Sequence, residues 1–124
     1  MTRAAVCVMG ADPFLNAYWL RNFATWADQV DELRVIACGM DDQTRPFFLD
    51  RLPVNADVTF VPFWFAPQGM DHGVALRTVL EGCTADVVML CEEDAYVRSP
   101  QAVGEQFARI ESGETDIVGG PRGT

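Results

Sequence analysis

Three carboxylates stand side by side at Glu92, Glu93 and Asp94, directly after the apolar run Val87, Val88, Met89, Leu90 and Cys91. A short apolar run bounded by polar residues reads as a strand buried on both faces. Adjacent acids repel one another, and no Lys or Arg follows until Arg98. A divalent cation would resolve that repulsion. Hard cations take oxygen ligands, and Mg²⁺ commonly uses one or two carboxylates together with substrate phosphates. On an extended segment residues i and i+2 point the same way. Glu92 and Asp94 are therefore the expected ligands of one Mg²⁺ or Mn²⁺ ion, with Glu93 turned away. The plain alternative is a solvated acidic turn closing a core strand, and these residues alone leave both readings open.

Holding such a group in place requires a scaffold, and the chain alternates strand and helix signals throughout. Strand Ala4–Met9 is closed by Gly10, and Asp12-Pro13 offers an N-cap acceptor followed by a residue suited to the first helical position. That helix runs to about Asp28, with Leu15, Trp19, Phe23 and Trp26 on one stripe. A second strand, Leu33–Cys38, ends at Gly39, Asp41 and Asp42, and a short helix over Pro46–Leu52 follows, with Phe47, Phe48 and Leu49 inward. A third strand spans Asp57–Pro62, and the aromatic, proline-bearing loop Phe63–Gly69 has no regular pattern. Asp71 caps a helix from His72 to Glu81 with Ala75, Leu76, Val79 and Leu80 inside, while Arg77 on its polar face can pair with Glu81. The acid-tipped strand comes fourth. Ser99-Pro100 then opens a helix with Val103, Phe107 and Ile110 inward, and Asp116–Val118 reads as a fifth strand before a glycine-rich tail carrying Arg122.

Strands alternating with helices in this way imply βαβ units: an α/β fold with a mainly parallel sheet flanked by helices and right-handed crossovers. No internal repeat and no linker interrupts residues 1–124, which read as a single domain. In such sheets ligands bind beyond the carboxyl ends of the strands, where the strand order reverses. The tips Gly10–Asp12, Gly39–Asp42 and Glu92–Asp94 are each acidic or glycine-bearing, and acidic helix caps account for part of that pattern.

Composition narrows the partners. A hydrophobic share of 49% suits a globular core, and a net charge of −9 argues against nucleic acid or an anionic membrane surface. A phosphorylated ligand stays compatible if a metal and helix N-termini supply the positive end. The four cysteines (Cys7, Cys38, Cys83 and Cys91) have no CxxC spacing and there is one histidine, so a zinc site is not expected. Reduced, buried thiols would suit a cytoplasmic protein. No apolar run approaches the roughly 20 residues of a membrane span.

With the strand tips placed, the chain resembles the nucleotide-sugar-binding half of a GT-A glycosyltransferase, most like the large family-two class. AAVCVMGADPFLNAYWLRNFATWADQVDELRVIACG resembles the family's opening strand, first helix and second strand. MDHGVALRTVLEGCTADVVMLCEEDAYV resembles its helix, short turn and metal-binding strand end, with Glu92-Glu93-Asp94 where the family carries Asp-x-Asp. DIVGG resembles the strand that follows. The resemblance implies a Rossmann-like domain whose Glu92 and Asp94 hold Mg²⁺ or Mn²⁺ and, through it, the diphosphate of a nucleoside-diphosphate sugar. It implies donor contacts at Asp12, Asp41, Asp42, His72, Gly73 and Glu93, and a hexosyltransferase-type reaction onto an unidentified acceptor hydroxyl. Three departures stand beside it: Glu in place of the first motif Asp, CGMDD in place of the usual ending of strand two, and an acceptor-binding half that would follow Thr124. No catalytic base is named for that reason.

Other classes match the residues less well. Nucleotidyl transfer on a similar fold opens with a basic glycine-rich loop, which Met9–Phe14 lacks. A receiver-like signalling domain would want an Asp after strand three, where the chain has Val61-Pro62-Phe63. A non-catalytic fragment that binds nucleotide or associates with itself is the main rival. If the core is open along one side, the uncovered apolar face predicts dimerisation or poor solubility.

Overall fold

The computed structural model describes residues 1–61 and 70–119. In chain order its elements are β1 (Arg3–Met9), α1 (Pro13–Trp26), β2 (Glu32–Cys38), α2 (Thr44–Arg51), β3 (Ala56–Val61), α3 (Met70–Glu81), β4 (Val87–Glu92) and α4 (Pro100–Glu111). Among the described residues the strands form one all-parallel sheet in the order β3-β2-β1-β4. The chain steps outward from β1 through β2 to β3, and α3 then carries it back to the far side of β1. The order therefore reverses between β1 and β4.

The two central strands are apolar on both faces because helices cover both. Ala5, Cys7 and Met9 of β1, with Leu33, Val35 and Ala37 of β2, meet Trp19, Phe23 and Trp26 of α1, Phe48 of α2 and Val103 and Phe107 of α4. Val6, Val8, Ile36 and Cys38 face the other way, onto Leu76 and Val79 of α3. The α1 aromatics also pack on each other: Trp19 and Phe23 stack with centroids 5.5 Å apart, and Trp26 meets Phe23 edge-on at 4.7 Å. Asp12 caps α1, accepting from the N–H groups of Phe14 and Leu15, and Ser99 caps α4, accepting from Ala102.

Several expectations are corrected. β4 is not buried on both faces: it lies at a sheet edge, and Leu90 is 58% exposed. Residues 116–118 form no strand. In α2 only Phe48 points inward, while Phe47 and Leu49 are exposed. Leu15 and Leu80 sit at the rims of their stripes and are also partly exposed. Asp71 falls within α3, which is described from Met70, and its side chain, on which the cap expectation rests, lies outside the described residues. The loop at Phe63–Gly69, the strand residue Pro62 and the tail with Arg122 lie outside the described residues, as do the side chains of His72 and Ala75.

Candidate functional site

The acidic triplet falls at the reversal point of the strand order, beyond the carboxyl end of β4. It is not extended. The Ala95 N–H donates to the Glu92 carbonyl at 3.1 Å, closing a β-turn over Glu92–Ala95. Strand alternation therefore stops at Glu92, and the side chain expected to turn away does the opposite. Glu93 reaches across to β1, where its Oε1 accepts from the Gly10 N–H at 3.0 Å. Its Oε2 is buried with no hydrogen-bond partner among the described residues. Burial pushes the Glu93 carboxyl up to about 7 against the lowering effect of the Gly10 N–H, and the charges of Asp12 and Asp94 push it the same way as burial. Glu92 and Asp94 are exposed on either side. All three acids line one shallow depression of ≈ 290 Å³ together with Val8 and Leu15.

The thiols near this turn are scaffold. Cys7 and Cys91 face each other in register on β1 and β4. Burial pushes the Cys7 thiol up and the Cys91 and Cys38 thiols up to about 12, so they stay protonated and unreactive.

Glu92 and Asp94 offer exposed carboxylate oxygens, the donor type a hard cation takes, while Glu93 is engaged by Gly10. Among the described residues no three His, Cys, Asp or Glu side chains converge as a ready-made cage. Mg²⁺ needs only one or two carboxylates and keeps water and phosphate oxygens for the rest. Two exposed carboxylates are compatible in donor type with that kind of ion and not with an all-protein coordination shell.

The remaining expected contacts divide by what already occupies them. Asp12 lies near enough to Glu93 to act on its charge, but its Oδ1 is engaged in the α1 cap. Asp41 Oδ1 accepts from the Thr44 hydroxyl and N–H, both at 2.7 Å, and from the Gln43 N–H at 3.0 Å. Those donors, the Thr44 hydroxyl foremost, hold its carboxyl below the ordinary range. Asp42 is exposed beside it. Gly73 lies on the exposed face of the first turn of α3, with open space where a Cβ would be. Arg77 pairs with Glu81 at 4.0 Å, and both are exposed.

Three contributors escaped the sequence reading: the Gly10 N–H, the wall formed by Val8 and Leu15, and Asn22. The Asn22 amide donates to the Val97 carbonyl at 2.8 Å and accepts from the Val97 N–H at 2.8 Å. The Trp26 indole N–H donates to the same amide oxygen at 3.2 Å. Asn is common on helix surfaces, and nothing local marks this one as a tether.

A larger hollow of ≈ 580 Å³ lies at the amino ends of the strands, lined by Arg3, Asp31 and Glu111 among others. Its charged groups are already satisfied: Arg3 pairs with Glu111 at 2.6 Å, and Asp31 accepts from the Arg3 N–H at 2.8 Å. It is the wrong end of a parallel sheet for ligand binding.

An all-parallel sheet in this order, with helices on both faces, is a Rossmann-like α/β fold. No protein-family model matches the chain, and no curated protein does. The similarity is to crystal structures of the glycosyltransferase TarS of S. aureus. TarS 1-349 aligns with a TM-score of 0.64 at 17% identity, covering 94% of this chain and 34% of that one. A second TarS structure aligns with a TM-score of 0.63 at 16% identity, covering 98% of this chain and 23% of that one. The chain thus spans about a third of one of those solved chains and about a quarter of the other. Among the described residues no helix is long and apolar enough to cross a membrane.

Proposed function

We propose that this chain is the donor-binding part of a metal-dependent GT-A glycosyltransferase, family-two-like, which takes a nucleoside-diphosphate sugar and serves transfer of a hexose to an acceptor hydroxyl. The observation that carries the reading is the position of the Glu92–Ala95 turn at the β1/β4 reversal of a glycosyltransferase-like fold. Glu92 and Asp94 are the proposed ligands of Mg²⁺ or Mn²⁺, which when bound would neutralise diphosphate charge. Glu93 holds the turn against β1 through Gly10. Asp42, next to the engaged Asp41, and Gly73, where backbone can approach closely, are proposed donor contacts, together with His72. Asp12 serves first as a cap. The four free cysteines support a reducing, cytoplasmic setting.

Titration calorimetry with UDP and with GDP, with and without Mn²⁺, tests the reading. The wild type is expected to give metal-dependent heat that Glu92→Ala/Asp94→Ala abolishes. Equal, metal-independent heats in both proteins would overturn it.

A second reading, self-association without turnover, is favoured by one observation: Leu90, a large apolar side chain, lies exposed on the edge strand β4.

A further inference from the structure

We infer that Asn22 is a positioning residue for the cation site, acting through the backbone of Val97; this rests on the donor-site reading above. The acidic turn is anchored beyond both of its ends. On one side β4 pairs with β1, and Glu93 ties the turn itself to Gly10. On the other side the chain leaves Asp94 and within three residues meets the Asn22 amide, which satisfies both the N–H and the C=O of Val97 at 2.8 Å. A planar amide that donates and accepts at once mimics a strand neighbour, so one side chain of α1 holds an otherwise irregular segment in register. The clamp is itself held, because the Trp26 indole N–H fixes which amide atom is the acceptor and Trp26 is buried in the core. Val97 also packs its side chain against that core. Core packing, indole, amide, backbone and acidic turn thus form one connected chain. Side chains that orient metal ligands from behind typically change metal affinity by roughly 10–100-fold when removed.

Linkage makes the inference testable in the wild type. If the clamp favours the ion-binding arrangement of the turn, the ion must favour the clamp to the same degree. Mg²⁺ added to the wild-type chain is expected to slow hydrogen exchange at the Val97 amide, read by NMR. Asn22→Leu, which keeps the branched side-chain skeleton but can form neither hydrogen bond, is expected to speed that exchange and to weaken Mn²⁺ binding by roughly tenfold. Mn²⁺ binding is measured by calorimetry well below the melting temperature. Should Asn22→Leu fail to fold, the wild-type exchange measurement decides alone. If the wild type binds Mn²⁺, Glu92→Ala/Asp94→Ala does not, and Asn22→Leu binds as the wild type does, the inference fails and the donor site stands. A Val97 amide insensitive to saturating Mg²⁺ also overturns it. If the wild type binds no divalent ion, the donor-site reading fails and this role falls with it.

Discussion

A carboxyl group wedged between the tips of β1 and β4 keeps its proton up to about pH 7, because burial outweighs the single N–H it accepts. The consequence for stability has a definite sign. The folded chain binds this proton more tightly than the unfolded chain, so Glu93 contributes most below the ordinary glutamate range, and its contribution is lost as the pH rises through about 7. Glu93→Gln keeps an acceptor for Gly10 and removes the ionisation. Thermal melts of the metal-free protein should therefore coincide at acidic pH and separate above neutrality. There the variant should be the more stable by about 1 kcal/mol, a figure reduced for the partial exposure of the group. A gap that does not widen with pH would count against a buried, titrating Glu93. Asp94 and Asp12 are the charges acting on it, so Asp94→Asn should lower its titration midpoint, measurable by carboxyl-carbon NMR.

The local devices of each element were legible in the sequence, and α1 is the clearest case. Asp12 and Pro13 specify its start through groups adjacent in the chain, and the spacing of Trp19, Phe23 and Trp26 specifies its buried face. Asp12→Asn should leave the urea midpoint nearly unchanged while Asp12→Ala lowers stability by about 1 kcal/mol, as expected of a cap. A midpoint unmoved by Asp12→Ala would deny it that role. Legibility ended where a side chain's surroundings come from distant parts of the chain. Consecutive residues on a helix point roughly 100° apart, so Phe47, Phe48 and Leu49 could not all face inward, and only Phe48 meets Phe60 across the layer. The acids of residues 92–94 announced a site but not their own directions, since the turn that reverses them is made by a backbone bond from Ala95. Glu93 then found its partner, Gly10, 83 residues away. Asn22 and Val97 are separated by 75 residues and carry no mutual signal.

For the molecule as a whole, the alternation of elements made the parallel sheet legible, while the order β3-β2-β1-β4 left β4 at an edge that its apolar sequence had disguised. An edge strand presents unpaired backbone groups, and natural edges are commonly guarded by charge. Here Leu90 is exposed on β4, and Ile117, past α4, is 84% exposed. Opposing association is the net charge of −9, which repels like copies over about 10 Å at moderate ionic strength. These two terms depend differently on salt. Light scattering is expected to show concentration-dependent association that strengthens as added salt screens the repulsion. Leu90→Lys places a guarding charge on the strand and should abolish that association. Because Leu90 already lies largely in water, its loss should shift stability by no more than about 0.5 kcal/mol, so a change in assembly can be separated from unfolding by circular dichroism. A monomer at every protein concentration, even at salt high enough to screen the repulsion, would show that the exposed edge does not drive association. Association unaffected by Leu90→Lys would place the contact elsewhere on the surface.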